Sequence, residues 1–97
     1  MVYFLYCMDF EWDSKKSLKN KKKHGISFDE AIEIWQGIRI ETPNIAYSKD
    51  GESRSATLGL IQGTIYTVIW TKRNNRIRII CARRASKNEK EAFIEKI

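Results

Sequence analysis

The chain has 97 residues, 42% of them hydrophobic and 11% aromatic, and a net charge of +6. One domain is expected, residues 1–97, with enough apolar surface for a packed core, which argues against a disordered chain. A chain this short buries only ~60–65% of its unfolded surface, so its stability is modest unless a partner adds to the core. Apolar runs such as Ile79-Ile80-Cys81-Ala82 fall far short of the ~20 residues a membrane helix needs. The opening Met1-Val2-Tyr3-Phe4-Leu5-Tyr6-Cys7 lacks a basic n-region. No signal peptide and no membrane partner are expected, and the cytoplasm is the expected location. Cys7 and Cys81 sit among apolar residues without zinc-site spacing, and both are expected to be reduced core thiols.

In chain order, residues 2–7 read as a strand rich in Tyr, Phe, Val and Leu. Asp13 is placed to N-cap a helix over 14–23, which His24-Gly25 stops. Leu18 is the only large apolar residue of that helix, so it is not expected to be a buried element. Ser27-Phe28-Asp29-Glu30 is a capping box. The helix after it sets Phe28, Ile32 and Trp35 on one stripe that should pack on a sheet. Residues 38–41 look like a short strand closed by Pro43, and 44–52 form the longest expected loop. Three strands follow at about 54–62, 64–72 and 76–84, with Gly63 in the first turn and Asn74-Asn75 in the second. Ser86-Lys87-Asn88-Glu89 is a second capping box, opening a last helix that carries Phe93 and Ile97 one turn apart. The expected class is α+β, an antiparallel sheet flanked by helices in the order β-α-α-β-β-β-β-α.

The charge is clustered. Lys15, Lys16, Lys19, Lys21, Lys22 and Lys23 have no acid among them, and neither do Lys72, Arg73, Arg76, Arg78, Arg83 and Arg84. Two acid-free basic segments suit a polyanion. In 76–84 the side chains alternate, so Ile77, Ile79 and Cys81 read as core while Arg76 and Arg78 share the other face. Arginines beside strand aromatics such as Tyr66 and Trp70 suit RNA, because guanidinium groups fork onto phosphates and rings stack on unpaired bases. The spacing Asp9-x-Glu11-x-Asp13 would align three carboxylates on a strand, but an acidic edge followed by a helix cap is the plainer reading, and no metal or cofactor is expected. The excess of cations points instead to metal-free RNA cleavage. There the ribose 2′-hydroxyl attacks its own phosphate, a base takes its proton, cations stabilise the added negative charge and an acid protonates the leaving oxygen. The candidates for proton transfer are His24, the only histidine, and Glu52, two residues before Arg54.

The run Phe10-x-Trp12-Asp13-x-x-Lys16-x-x-x-Asn20-x-x-Lys23-His24-Gly25-Ile26-Ser27-Phe28-x-x-Ala31 resembles the opening signature of BrnT toxins. Glu52-x-Arg54, Gly59, and Arg78-Ile79-Ile80-Cys81-Ala82-Arg83-x-Ala85-x-x-x-Glu89 are similar to that family's middle and closing motifs. The resemblance implies a RelE-like toxin fold and an endoribonuclease that cleaves cellular RNA and arrests growth. It also implies neutralisation by a BrnA-type antitoxin, whose DNA-binding module brings the complex to operator DNA. Carried over by position, it makes Arg54, Arg78 and Arg83 the phosphate and transition-state cations, with His24 or Glu52 as the proton-transfer group. Lys16, Lys23, Arg76, Trp70 and Arg84 are the expected RNA contacts. This chain departs from the pattern at Cys81, where Ser is common, and at Phe93, where Tyr is common. The alternatives are a non-catalytic nucleic-acid-binding module and a protein-interaction domain.

Overall fold

The structure is a computed structural model that describes residues 2–5, 8–47 and 51–97. The elements are β1 (Val2–Leu5), β2 (Met8–Glu11), α1 (Ser14–His24), α2 (Phe28–Ala31) continuing into a 3-10 turn (Ile32–Gln36), β3 (Arg39–Tyr47), β4 (Ser53–Ile61), β5 (Thr64–Arg73), β6 (Arg76–Arg84) and α3 (Lys87–Lys96). The strands form one sheet in the order β1-β2-β6-β5-β4-β3. All neighbours are antiparallel except β2 and β6, which run parallel.

The α+β class and the helix-flanked sheet follow the sequence, with two refinements. First, the opening stretch makes two strands rather than one, because Met8–Glu11 turns back along β1 and reaches β6. Second, the strand after Gly37 passes through Pro43 to Tyr47. It lies at the edge of the sheet with its register broken between Thr42 and Ala46, where a residue without an N–H costs no ladder bond. Cys7 and residues 48–50 of the expected loop lie outside the described residues.

Local chemistry accounts for the element ends. The Asp13 carboxylate accepts from the Lys15 and Lys16 amides, and Gly25, at φ 78°, closes α1 in the left-handed conformation glycine permits. Both predicted capping boxes are formed. Gln62-Gly63 and Asn74-Asn75 all have positive φ, the geometry that matches a two-residue turn to the twist of its strands.

The two faces of the sheet are covered differently. On one side α2, the 3-10 turn and the Ile26 corner pack over β2, β4, β5 and β6 around Phe10, Phe28, Ile34, Trp35, Val68 and Ala82. Trp12, Phe28 and Trp35 are buried there, as expected. Gly59 allows this packing, since a Cβ on it would stand 2.8 Å from Cγ1 of Ile34. On the other side α3 inserts Phe93 against Ala56 and Leu58 and covers only part of the face.

Helix α1 is bound by its polar side. Leu18 is 67% exposed, while Ser17 and Asn20 are buried. The Asn20 amide donates to the carbonyls of Ile26 and Ala82, both at 2.8 Å, and accepts from the Ala82 amide at 3.3 Å. Ala82 lies beyond the stretch of β6 that β2 pairs, so this side chain serves that length of strand edge as a neighbouring strand would. Among the described residues no helix is long and apolar enough to cross a membrane. We expect Asn20→Ala to cost about 2–4 kcal/mol, because three buried backbone groups lose their partner. Leu18→Ala should stay within about 0.5 kcal/mol. Urea unfolding of the two variants checks both.

Candidate active site

Register and pleat decide which side chains meet on the partly covered face. The ladder sets Glu11 beside Arg78, Arg78 opposite Thr71 and Arg73 opposite Arg76. One step beyond the Ser55–Trp70 pair, Arg54 comes across from Thr71. Glu11, Arg78, Thr71 and Arg54 therefore form one row across β2, β6, β5 and β4. At a strand spacing of about 4.8 Å, Arg54 stands roughly 10 Å of sheet from Arg78. Arg73 and Arg76 occupy the next row toward the Asn74-Asn75 turn.

Arg83 joins this face through an irregularity. Simple alternation would put residues 77, 79, 81 and 83 on one side. Between the Ile69–Cys81 and Trp70–Ile79 pairs the register shifts, so one residue of β6 bulges. A bulge reverses the parity of everything beyond it. Cys81 thus leaves the core face on which the sequence places it and is only partly buried, and Ala82 fills the core position. Arg83 lies opposite Thr67, on the arginine side.

The cations are engaged to different degrees. Arg73 holds Glu52 through two bonds of 2.9 Å. Arg83 faces Glu89 through Nη1 at 2.7 Å and Nη2 at 3.0 Å. Arg78 is 3.9 Å from Glu11, beyond hydrogen-bond distance. The Nε of Arg54 is buried and has no hydrogen-bond partner among the described residues. Glu89 also accepts from the Ser86 amide at 2.8 Å and the Thr67 hydroxyl at 3.0 Å. The Arg83 guanidinium and these donors hold its carboxyl at about 2, against an ordinary 4.5, and Glu89 in turn raises Arg83.

Of the residues expected from sequence, Arg54, Arg76, Arg78 and Arg83 are brought together, and Glu52 borders them through Arg73. The others are not on this face. Lys16, Lys23 and His24 belong to α1, and His24 adjoins the Gly25-Ile26 corner that enters the helix-side core. Arg84 pairs with Tyr66 on the helix side. Trp70 is on that side too, edge-on to Trp35 at 6.1 Å and donating its indole N–H to Thr57 at 2.8 Å. Aromatics and arginines of neighbouring strands separate because even positions of β5 face the core while Arg76 and Arg78 face away. The three carboxylates of 9–13 are not aligned, because β2 ends at Glu11 and Asp13 caps α1. Among the described residues no group of three or more His, Cys, Asp or Glu is arranged to hold a metal ion. Glu11, which the sequence offers only as part of an acidic edge, and Arg73, which it offers only within a basic segment, also stand on this face. Glu11 reaches the site only through a parallel pairing that has no local signature.

An α+β domain that bares a set of guanidinium groups on an open sheet face has the equipment of a phosphate-binding protein. The family model described as ribonuclease toxin, BrnT, of type II toxin-antitoxin system matches residues 12–89. The chain belongs to this family, and is by that membership a ribonuclease toxin of a type II toxin-antitoxin system. No curated protein sequence matches it.

The state of Glu89 makes a pH prediction. Its carboxyl holds its proton less readily folded, at about 2, than at the ordinary 4.5. Its stabilisation is therefore complete above 4.5 and disappears as the pH falls toward about 2. Wild type should exceed Glu89→Gln by on the order of 1 kcal/mol near neutrality, after solvent screening. That gap should close across the window, as followed by denaturant unfolding at stepped pH.

Proposed function

We propose that this toxin cleaves single-stranded cellular RNA without a metal ion, by attack of a ribose 2′-hydroxyl on the adjacent phosphate. The observation that carries the reading is the placement of Arg54 and Arg78 in one row, one with an unpaired buried Nε and the other only loosely paired. Phosphoryl transfer by this route adds negative charge to the phosphate in the transition state. Fixed guanidinium donors in a partly desolvated site stabilise that charge without reorganising. Arg83, oriented by Glu89, adds a third cation at the far end of the face.

The RNA strand then extends beyond the arginines. Helix α1 abuts β6 at Ala82, so Lys16, Lys23 and Arg84 offer phosphate contacts on the other side of that strand edge. Arg76 continues the arginine face toward the turn. In the cell the enzyme acts in the cytoplasm and arrests growth, and a BrnA-type antitoxin silences it and carries the complex to operator DNA.

Purified protein free of antitoxin should cleave single-stranded RNA in EDTA, with binding that weakens steeply as salt rises. Arg54→Ala, Arg78→Ala and Arg83→Ala should each lower the rate by at least ~10-fold. Gel analysis of incubated RNA is the measurement. RNA that is bound but uncut would reduce the protein to a binding module. Cleavage abolished by EDTA and restored by magnesium would overturn the metal-free route.

A further inference from the structure

We infer that Glu11 is the general base of the cleavage reaction, the group that takes the proton from the attacking 2′-hydroxyl. This rests on the ribonuclease reading above and supplies the partner that the arginines lack. Cleavage needs an acceptor within reach of the same phosphate the cations hold, and its lone pairs must be free to take a proton.

The carboxylates on the arginine face differ in this respect. Glu89 accepts from Ser86, Thr67 and both terminal nitrogens of Arg83. Glu52 is held by two bonds from Arg73, in the next row. Asp9 shares the pleat of Glu11, but the β2–β6 ladder pairs only Phe10 and Glu11, so Asp9 lies off the row of Arg78 and Arg54. Glu11 is in that row. Its carboxylate makes no hydrogen bond among the described residues and stands 3.9 Å from Nη1 of Arg78, with its side chain 15% exposed. It is mostly enclosed, keeps a small exposed edge, and lies next to the cation that would hold the phosphate.

The step balances. As the 2′-oxygen bonds to phosphorus its proton passes to a carboxylate oxygen of Glu11. The bond from phosphorus to the 5′-oxygen breaks, and that oxygen takes a proton from solvent. The products are a 2′,3′-cyclic phosphate and a 5′-hydroxyl. Arg78 neutralises the phosphate beside the base, and Arg54 approaches it from the other side of Thr71. Glu11 is therefore a catalytic residue in a different position from His24 or Glu52.

The experiment compares kcat and KM of wild type, Glu11→Gln, Glu11→Ala and Asp9→Asn on one labelled single-stranded RNA. Glu11→Gln keeps the size and an acceptor toward Arg78, so circular dichroism and unfolding should match wild type. We expect kcat to fall about 100-fold or more with KM nearly unchanged. Formate should restore part of the activity of Glu11→Ala by replacing the missing carboxylate, and Asp9→Asn should cleave as wild type does. Wild-type rates in Glu11→Gln would overturn the assignment. So would a loss expressed in KM without formate rescue, which would mean that Glu11 only positions Arg78. Loss in Asp9→Asn instead would move the base one row. Uncut RNA with wild type itself would remove the ribonuclease reading, and the base with it.

Discussion

The register of β6 is the constraint on which this molecule depends. That strand lies between β2 and β5 and sends Ile77, Ile79 and Ala82 into the helix-side core while sending Arg76, Arg78 and Arg83 to the opposite face. No uniform alternation does both, because a side-chain period of two cannot keep 79 and 82 on one side. The extra residue near Cys81 resolves the conflict. Without it, and with Ile77 and Ile79 in the core, Arg83 would be driven inward, at the cost of an unpaired buried charge, and the Ala82 side chain would leave the core.

The clasp gives the family signature a physical meaning. Phe10, Trp12, Phe28 and Ala31 are buried, Asp13 and Ser27 cap helices, Gly25 supplies a left-handed residue, and Asn20 bonds the strand edge. Most of the motif is therefore scaffold. It fixes α1 against β6 by hydrogen bonds rather than by apolar packing, which explains a helix whose only leucine faces solvent. Of the exposed lysines of the same segment, Lys21 adds an ion pair to Glu30 at 2.7 Å, which ties α1 to the start of α2.

The electrostatics of the open face combine attraction with restraint. A chain of net charge +6 draws polyanions over a distance set by salt, but a flexible arginine contributes little preorganisation. Here Glu52 and Glu89 hold Arg73 and Arg83 through two bonds each, and Glu89 also ties α3 to β5 and β6. Arg54, whose buried Nε has no hydrogen-bond partner among the described residues, and Arg78, 3.9 Å from Glu11, stand between these fixed pairs. This is the arrangement expected if the outer pairs shape the site and the inner cations meet the phosphate.

Features under short-range chemical control are legible in the residues themselves. The capping boxes, the Asp13 cap, the Gly25 stop, the paired-asparagine turn, the bounds of the last strand and the clustering of cations all follow from residues within a few positions of one another. Tertiary structure alone decided the rest. The parallel approach of β2 to β6, the placement of Trp70 and Arg84 on the far side, the exit of Cys81 from the core and the entry of Glu11 into the arginine row depend on partners far away in the chain. Which face a residue takes is a matter of parity relative to a neighbouring strand. One inserted residue reverses it while leaving the local pattern of apolar and charged residues unchanged.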